Sequence, residues 1–265
     1  MYTEKEVEKG GMPLLCRLDK YLVSQGVCSR SEAGRLCRRG QLTVDGASVR
    51  DPAQKIDPDT AAVALNGRPL TYKRQLYVMM NKPAGVLSAS RDPHTKTVID
   101  LMPPALSRRG LFPAGRLDKD TTGFVCITDD GDFAHRILAP KSHVPKRYQV
   151  RLSAPLAPEL PARFAEGLIL PDETVCAPSK LLLLEDGEQP LWEITITEGK
   201  YHQIKRMFGA FHYNVCALHR VAIGKMLLDP TLPPGGCREL TAAETAAMRE
   251  SYDIFCECCL YENLP

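Results

Sequence analysis

Near the start of the chain apolar side chains recur at the spacing of one helix face, with Leu18, Tyr21 and Leu22 in register before Gly26 ends the run. A second helix is predicted after Ser29, because Ser29 and Glu32 have the spacing of a capping box that satisfies free backbone donors at a helix start. Gly40 stops it. On this helix Ala33, Leu36 and Cys37 share one side, and Arg35, Arg38 and Arg39 share the other. The period then drops to two. "LTVDGASV" holds two short alternating runs around Asp45-Gly46, a dipeptide suited to the positive-φ turn of a hairpin.

A junction near "PLTYKRQ" separates this segment from a longer one. "LYVMMNKPAGVLSAS" predicts a strand running into a Pro-Gly turn, and "HTKTVIDLMPP" a short helix ended by two prolines. "GFVCITDDG" is rich in β formers, "DFAHRILAP" predicts a short helix, and "RYQVRLSAP" and "LWEITITEG" alternate as strands do. In "YHQIKRMFGAF" Ile204, Met207, Phe208 and Phe211 fall on one helix face, which leaves Gln203 and Arg206 outward and Lys205 at the flank. "NVCALHRVAIG" returns as a strand. Strands outnumber helices and mostly lack βαβ spacing, so the fold class expected is α+β with a largely antiparallel sheet. The divisions expected are a lead-in over 1–13, a small domain over 14–72, a larger one over 73–248 and a Cys-rich acidic tail over 249–265.

Composition narrows the class. The 265 residues are 44% hydrophobic and 25% charged, as in soluble globular proteins. No apolar run approaches the ~20 residues of a membrane span. The N-terminus lacks the basic and apolar regions of a secretory signal. Seven cysteines are scattered singly and suit buried thiols in a reducing cytoplasm. The tail cluster "CECC" has no second ligand pair to complete a zinc site. Net charge is +2, unevenly spread: residues 14–50 carry +4 and residues 239–265 carry −5. Either the front end meets an anionic partner or both ends are simply solvated faces.

Common catalytic and cofactor motifs are missing: no nucleophile elbow, no Walker loop, no dinucleotide fingerprint, no zinc-protease helix. "TDDGD" near Asp129 reads as a turn and helix cap rather than a calcium loop. Three stretches remain. In "GRLDKDTTG" Asp118 sits among cations, which favour an ionised carboxylate. Such a group can be a nucleophile, or merely part of a salt-bridged surface loop. "EGKYHQIKRMF" offers polar side chains on a packed helix. "HVPKRYQV" puts Tyr148 just after Lys146 and Arg147, where an aromatic ring could meet a nucleobase and the cations phosphates, or the ring could be core.

Two resemblances use these stretches. Residues 16–65, with "RLDKYL", "SRSEAGRLCRRGQLTVDG" and "VALNGRPL", resemble the S4 RNA-binding domain. From Cys16 to about Glu244, "NKPAGVLSAS", "GRLDKDTTGFVCITDDGDFAHRILAP", "KRYQV" and "TEGKYHQIKRMFGAFHYNVCALHRVAIG" are similar, in order, to the S4-containing pseudouridine synthases of ribosomal RNA. Within that branch "HQIKRM" is most like the small-subunit (16S) type.

The resemblance implies an S4 domain followed by a pseudouridine synthase domain with a mixed, mainly antiparallel sheet. It implies isomerisation of a uridine without cofactor or metal. By the same resemblance Asp118 is the nucleophile, Tyr148 stacks on the target base and helps remove its proton, and Lys205 pairs with Asp118 where several branches have arginine. Ile204 lines the base pocket, and Arg116 holds the flipped nucleotide. Arg206, Lys146, Arg147, Arg35, Arg38 and Arg39 are expected on RNA. The partner implied is ribosomal RNA, 16S or an assembling small subunit, with no membrane, a monomeric state and a cytoplasmic location. The alternatives are the same chemistry on large-subunit (23S) rRNA or tRNA, and an S4-type binding protein without catalysis.

Overall fold

The computed structural model describes residues 15–256. The expected lead-in and all but Cys256 of the "CECC" cluster lie outside the described residues. The chain divides into two compact units, one reaching to Arg74 and including Ser107–Arg109, the other formed by Gln75–Leu106 and the chain from Gly110 onward.

In the first unit β1 (Cys16–Arg17) leads into α1 (Leu18–Ser24) and α2 (Arg30–Arg38), followed by β2 (Leu42–Val44), β3 (Ala47–Ser48), β4 (Lys55–Ile56), β5 (Val63–Leu65) and β6 (Arg68–Pro69). β1 pairs with β4, and the other strands run in the order β3-β2-β5-β6. Ser29 Oγ accepts from the Glu32 N–H at 3.3 Å, which starts α2. Asp45-Gly46 and Asn66-Gly67 all have positive φ, so two tight hairpins build the sheet. Leu18, Leu22, Ala33, Cys37 and Leu42 close the core, while Arg35, Arg38 and Arg39 stay exposed on the far side of α2.

The second unit contains β7 (Tyr77–Lys82), β8 (Phe112–Pro113), β9 (Thr122–Thr128), α3 (Gly131–Leu138), β10 (Lys146–Leu152), α4 (Leu160–Glu166), β11 (Leu168–Ile169), β12 (Val175–Cys176), β13 (Lys180–Glu185), β14 (Leu191–Ile196), α5 (Gln203–Gly209), β15 (Val215–Ile223), β16 (Met226–Leu227), β17 (Cys237–Glu239) and α6 (Ala242–Ala247). The main sheet runs β13-β14-β10-β15-β9-β7-β17. Its pairings are antiparallel except where His219 and Arg220 of β15 meet Thr122 and Gly123 of β9 in parallel. The fold is thus α+β with a mixed, mostly antiparallel sheet.

Both faces of the sheet centre are covered, which is why "YVMM" and "FVCI" are continuous apolar runs. Val78, Met80, Val125 and Ile127 face one core with α5 and Phe164 of α4; Met79, Phe124 and Cys126 face the other with α3. Asp130 caps α3 by accepting from Phe133 N at 2.9 Å, so the "TDDGD" stretch is a turn and cap. The helix expected in "HTKTVIDLMPP" is corrected to two single 3₁₀ turns, Ile99–Leu101 and Pro104–Leu106. Pro103 and Pro104 lack N–H groups and leave too few donors for an α-helical ladder. Cysteines among the described residues are free thiols.

Candidate active site

The site begins with β7. Its last side chain, Lys82, is fully buried and donates to the carbonyls of Pro83, Lys119 and Thr121 at 3.0, 3.2 and 2.7 Å. The turn that follows adds a bond from Gly85 N–H to the same Lys119 carbonyl at 2.8 Å. Ser88 Oγ both accepts from Leu117 N–H and donates to Leu117 C=O, each at 3.1 Å. Together these contacts grip the "GRLDKDTTG" loop on both sides of Asp118. Burial pulls the Lys82 ammonium down to about 8, and the nearby Asp120 and Asp118 carboxylates oppose that shift.

Asp118 meets two side chains from the start of α5. Lys205 Nζ lies 3.3 Å from Oδ2, and His202 Nε2 lies 3.4 Å from Oδ1. The helix is set by burial of Ile204, Met207 and Phe208, which turns Lys205 toward the loop. Lys205 is shared, and its shorter contacts are to Asp120, at 2.6 and 2.8 Å. That bond holds the Asp120 carboxyl below its usual range. For Lys205 itself burial pulls downward, but the bonds to Asp120 and Asp118 outweigh it and the net shift is upward. The expected one-to-one pair of Lys205 with Asp118 is therefore a three-member cluster.

Gln203 corrects the expected outward placement. It is buried, accepts from Lys200 N at 2.9 Å and donates to Glu198 Oε1 at 2.6 Å, so its amide ties down the turn that precedes α5. Arg206 is committed to Asp172 and Thr174 and also donates to the Tyr201 carbonyl at 3.1 Å.

Tyr148 approaches from β10, with its ring largely buried. Arg220 of β15 lies behind it, guanidinium 5.8 Å from the ring centre, with Nη1 3.4 Å from the phenol oxygen. Arg220 Nε donates to Phe124 C=O in β9 at 2.7 Å, while Nη2 has no partner. Lys146, expected on the surface for phosphate, is instead buried at 6% exposure. It points inward because β10 alternates, placing Lys146 and Tyr148 on the same face. Burial and Arg220 bring its ammonium down to about 8. Arg147 faces the other way and lies 3.7 Å from Glu193. A cavity of about 70 Å³ opens among Arg116, Asp118, Tyr148, Ile204, Lys205 and Leu218. So Asp118, Tyr148, Lys205, Ile204 and Arg116 converge, whereas Lys146, Arg147 and Arg206 do not line the cavity. Among the described residues no group of three or more His, Cys, Asp or Glu side chains is placed to hold a metal ion.

Residues 76–210 match the model of the RNA pseudouridylate synthase family, and residues 16–61 match that of the S4 domain. The chain belongs to the RNA pseudouridine synthases. It is similar to an uncharacterized RNA pseudouridine synthase of Bacillus subtilis, 43% identical over 88% of this chain and 98% of that protein. It is also similar to the ribosomal small subunit pseudouridine synthase A of Escherichia coli strain K12, 42% identical over 88% of this chain and 99% of the relative. A crystal structure of a pseudouridylate synthase superposes with a TM-score of 0.61 at 36% identity, covering 88% of this chain and 99% of that one.

Four residues of the synthase site escaped sequence reasoning. His202 and Asp120 flank predicted site residues, and proximity in sequence was a usable signal. Lys82 stands in the quoted "NKPAG" stretch but reads as an ordinary strand-end lysine. Arg220 gives no local signal, because it reaches Tyr148 only through strand pairing 72 positions apart.

Proposed function

We propose that this pseudouridine synthase isomerises a uridine of small-subunit (16S) ribosomal RNA, with Asp118 as nucleophile. The observation that carries the assignment of Asp118 is its position at the cavity, between Lys205 and His202 and among Tyr148, Ile204 and Leu218. The target class is supported by the similarity to small-subunit synthases.

The base must leave its stack for its reacting atoms to reach Asp118. Asp118 attacks either the ribose anomeric carbon or the uracil ring. The C1′–N1 bond breaks, the uracil turns while held between Tyr148 and the apolar side chains, a C1′–C5 bond forms, and the bond between Asp118 and the nucleotide breaks to return the free carboxylate. The proton on C5 then leaves, to Tyr148 or to a water that it orders, and N1 gains a proton. Atoms and electrons balance within the nucleotide, so no cofactor is called for. Lys205 offsets the charge of the carboxylate when no substrate is bound, and His202 Nε2 lies against its other oxygen. Arg116 lies at the cavity mouth, where an RNA phosphate would pass, and Arg35, Arg38 and Arg39 of the S4 domain supply sequence-independent phosphate contacts. The synthase acts as a monomer in this reading.

Pseudouridine mapping of ribosomal RNA from cells with and without the gene tests the proposal. One small-subunit position should lose its modification, wild-type protein should restore it, and Asp118→Asn should not. A large-subunit or transfer-RNA position lost in its place would move the target, and full restoration by Asp118→Asn would remove the nucleophile.

A further inference from the structure

Between Lys200 and His202, which line the same cavity, Tyr201 is 76% exposed. Its inner face is stacked on His202, with ring centres 3.9 Å apart and an interplanar angle of 19°. His202 in turn reaches Asp118 with Nε2. Carboxylate, imidazole and phenol thus form a series from the nucleophile to solvent, and the outer face of the phenol is open. The arrangement is held in place. His202 adopts a left-handed backbone conformation, φ 47°, and Arg206, itself anchored on Asp172 and Thr174, donates to the Tyr201 carbonyl at 3.1 Å.

We propose that Tyr201 is a stacking platform for an unpaired nucleobase adjacent in the RNA to the uridine under attack. The proposal rests on the reading of Asp118 as the centre of the reaction. A nucleotide drawn into the cavity deprives its neighbour of a stacking partner, and an aromatic ring one layer out from the site replaces it. Every base has a π-face, so the subsite accepts any base. A ring already ordered by His202 and Arg206 loses little freedom on binding. The contact contributes to affinity for RNA rather than to the bond changes.

Tritium release from full-length small-subunit rRNA carrying [5-³H]uridine gives kcat and KM for the intact protein. A large-subunit transcript is run in parallel. Tyr201→Ala should raise KM roughly ten-fold, with kcat within about two-fold. Tyr201→Phe and Tyr201→Trp should retain wild-type KM. Binding of the same RNA, measured with each change placed in an Asp118→Asn background, should weaken to the same degree for Tyr201→Ala with an unaltered salt slope, since no charge is removed. An unchanged KM, or a lower kcat at unchanged KM, would overturn the proposal; the latter would mean that the phenol acts only by supporting His202. Wild-type release from the large-subunit transcript alone would reject the target assignment, and the Tyr201 comparison would then be read on that transcript.

Discussion

Lys205 faces two carboxylates at once. Its bonds to Asp120 are shorter than its contact with Asp118, and Asp120 is well exposed. An ammonium has three rotatable donors and can divide itself in this way, whereas a guanidinium brings a flat fork. Removing the cation leaves two carboxylates near each other, with the His202 imidazole still against Asp118. Lys205→Ala should therefore lower kcat by roughly 10²-fold, and Lys205→Arg should restore most of it. The pH profile adds a constraint. Against the pull of burial, the two carboxylates hold the Lys205 ammonium above its ordinary 10.5, so its charged form persists up to that value and is lost only above it. Between pH 7 and 10 the wild-type and Lys205→Arg profiles of kcat/KM should run parallel; an alkaline fall in that window confined to wild type would contradict the upward shift.

At the level of strands and turns, β7 and the turn after it form the bed on which the Asp118 loop rests. Lys82 joins three carbonyls that have no ladder partner in the sheet. Lys82→Met keeps much of the side-chain volume but takes the ammonium donor from the Pro83 and Thr121 carbonyls, while Lys119 C=O keeps the Gly85 N–H. Relief of a buried charge offsets part of that cost, and a net loss of about 2 kcal/mol is expected, read as a lower thermal midpoint together with reduced kcat. The wild-type protein also carries a pH signature. Lys82 and Lys146 both titrate near 8 in the folded chain and at 10.5 when unfolded. Between those values the unfolded state binds more protons, so stability from these groups rises with pH, and below about 8 their burial cost is present in full. Lys82→Met should flatten that rise. A second constraint acts where β9 passes β15: a Cβ on Gly123 would lie 2.3 Å from the Arg220 carbonyl oxygen, at φ +100°. Only glycine admits the parallel contact that brings Arg220 behind Tyr148.

At the scale of the whole molecule, the proposed function assigns RNA capture to the S4 domain and the chemistry to the synthase unit. The S4 domain presents Arg35, Arg38 and Arg39 on one side of a helix whose opposite side is core. In the synthase unit three cations, Lys82, Lys146 and Arg220, are buried. Replacing Arg35, Arg38 and Arg39 together by Ala should weaken RNA binding and reduce the slope of log affinity against log salt by about 2, while kcat at saturating RNA stays near wild type. Filter binding across a salt series, beside a saturating-substrate assay, measures both. An unchanged slope would mean that this helix face does not meet phosphate.

Local order in the chain carried much of this. Period-three and period-two apolar spacing, the Ser29 cap and the Asp45-Gly46 turn define the first unit, since capping and turn geometry depend on neighbours a few residues apart. "GRLDKDTTG", "KRYQV" and "HQIKRM" left function and plain structure open by local chemistry alone, and it was the family resemblance that singled out Asp118, Tyr148 and Lys205, which the structure brings to one cavity. Burial could not be read in the same way. Gln203 and Lys146 are polar, and polarity suggested solvent, but helix packing and strand alternation turned both inward. The division of Lys205 between Asp118 and Asp120, the grip of Lys82 on the loop and the seat of Arg220 behind Tyr148 come from contacts between segments tens of residues apart. Such contacts exist only once the sheet has closed, because strand pairing, and no feature of the local chain, sets the distances over which charges and hydrogen bonds act.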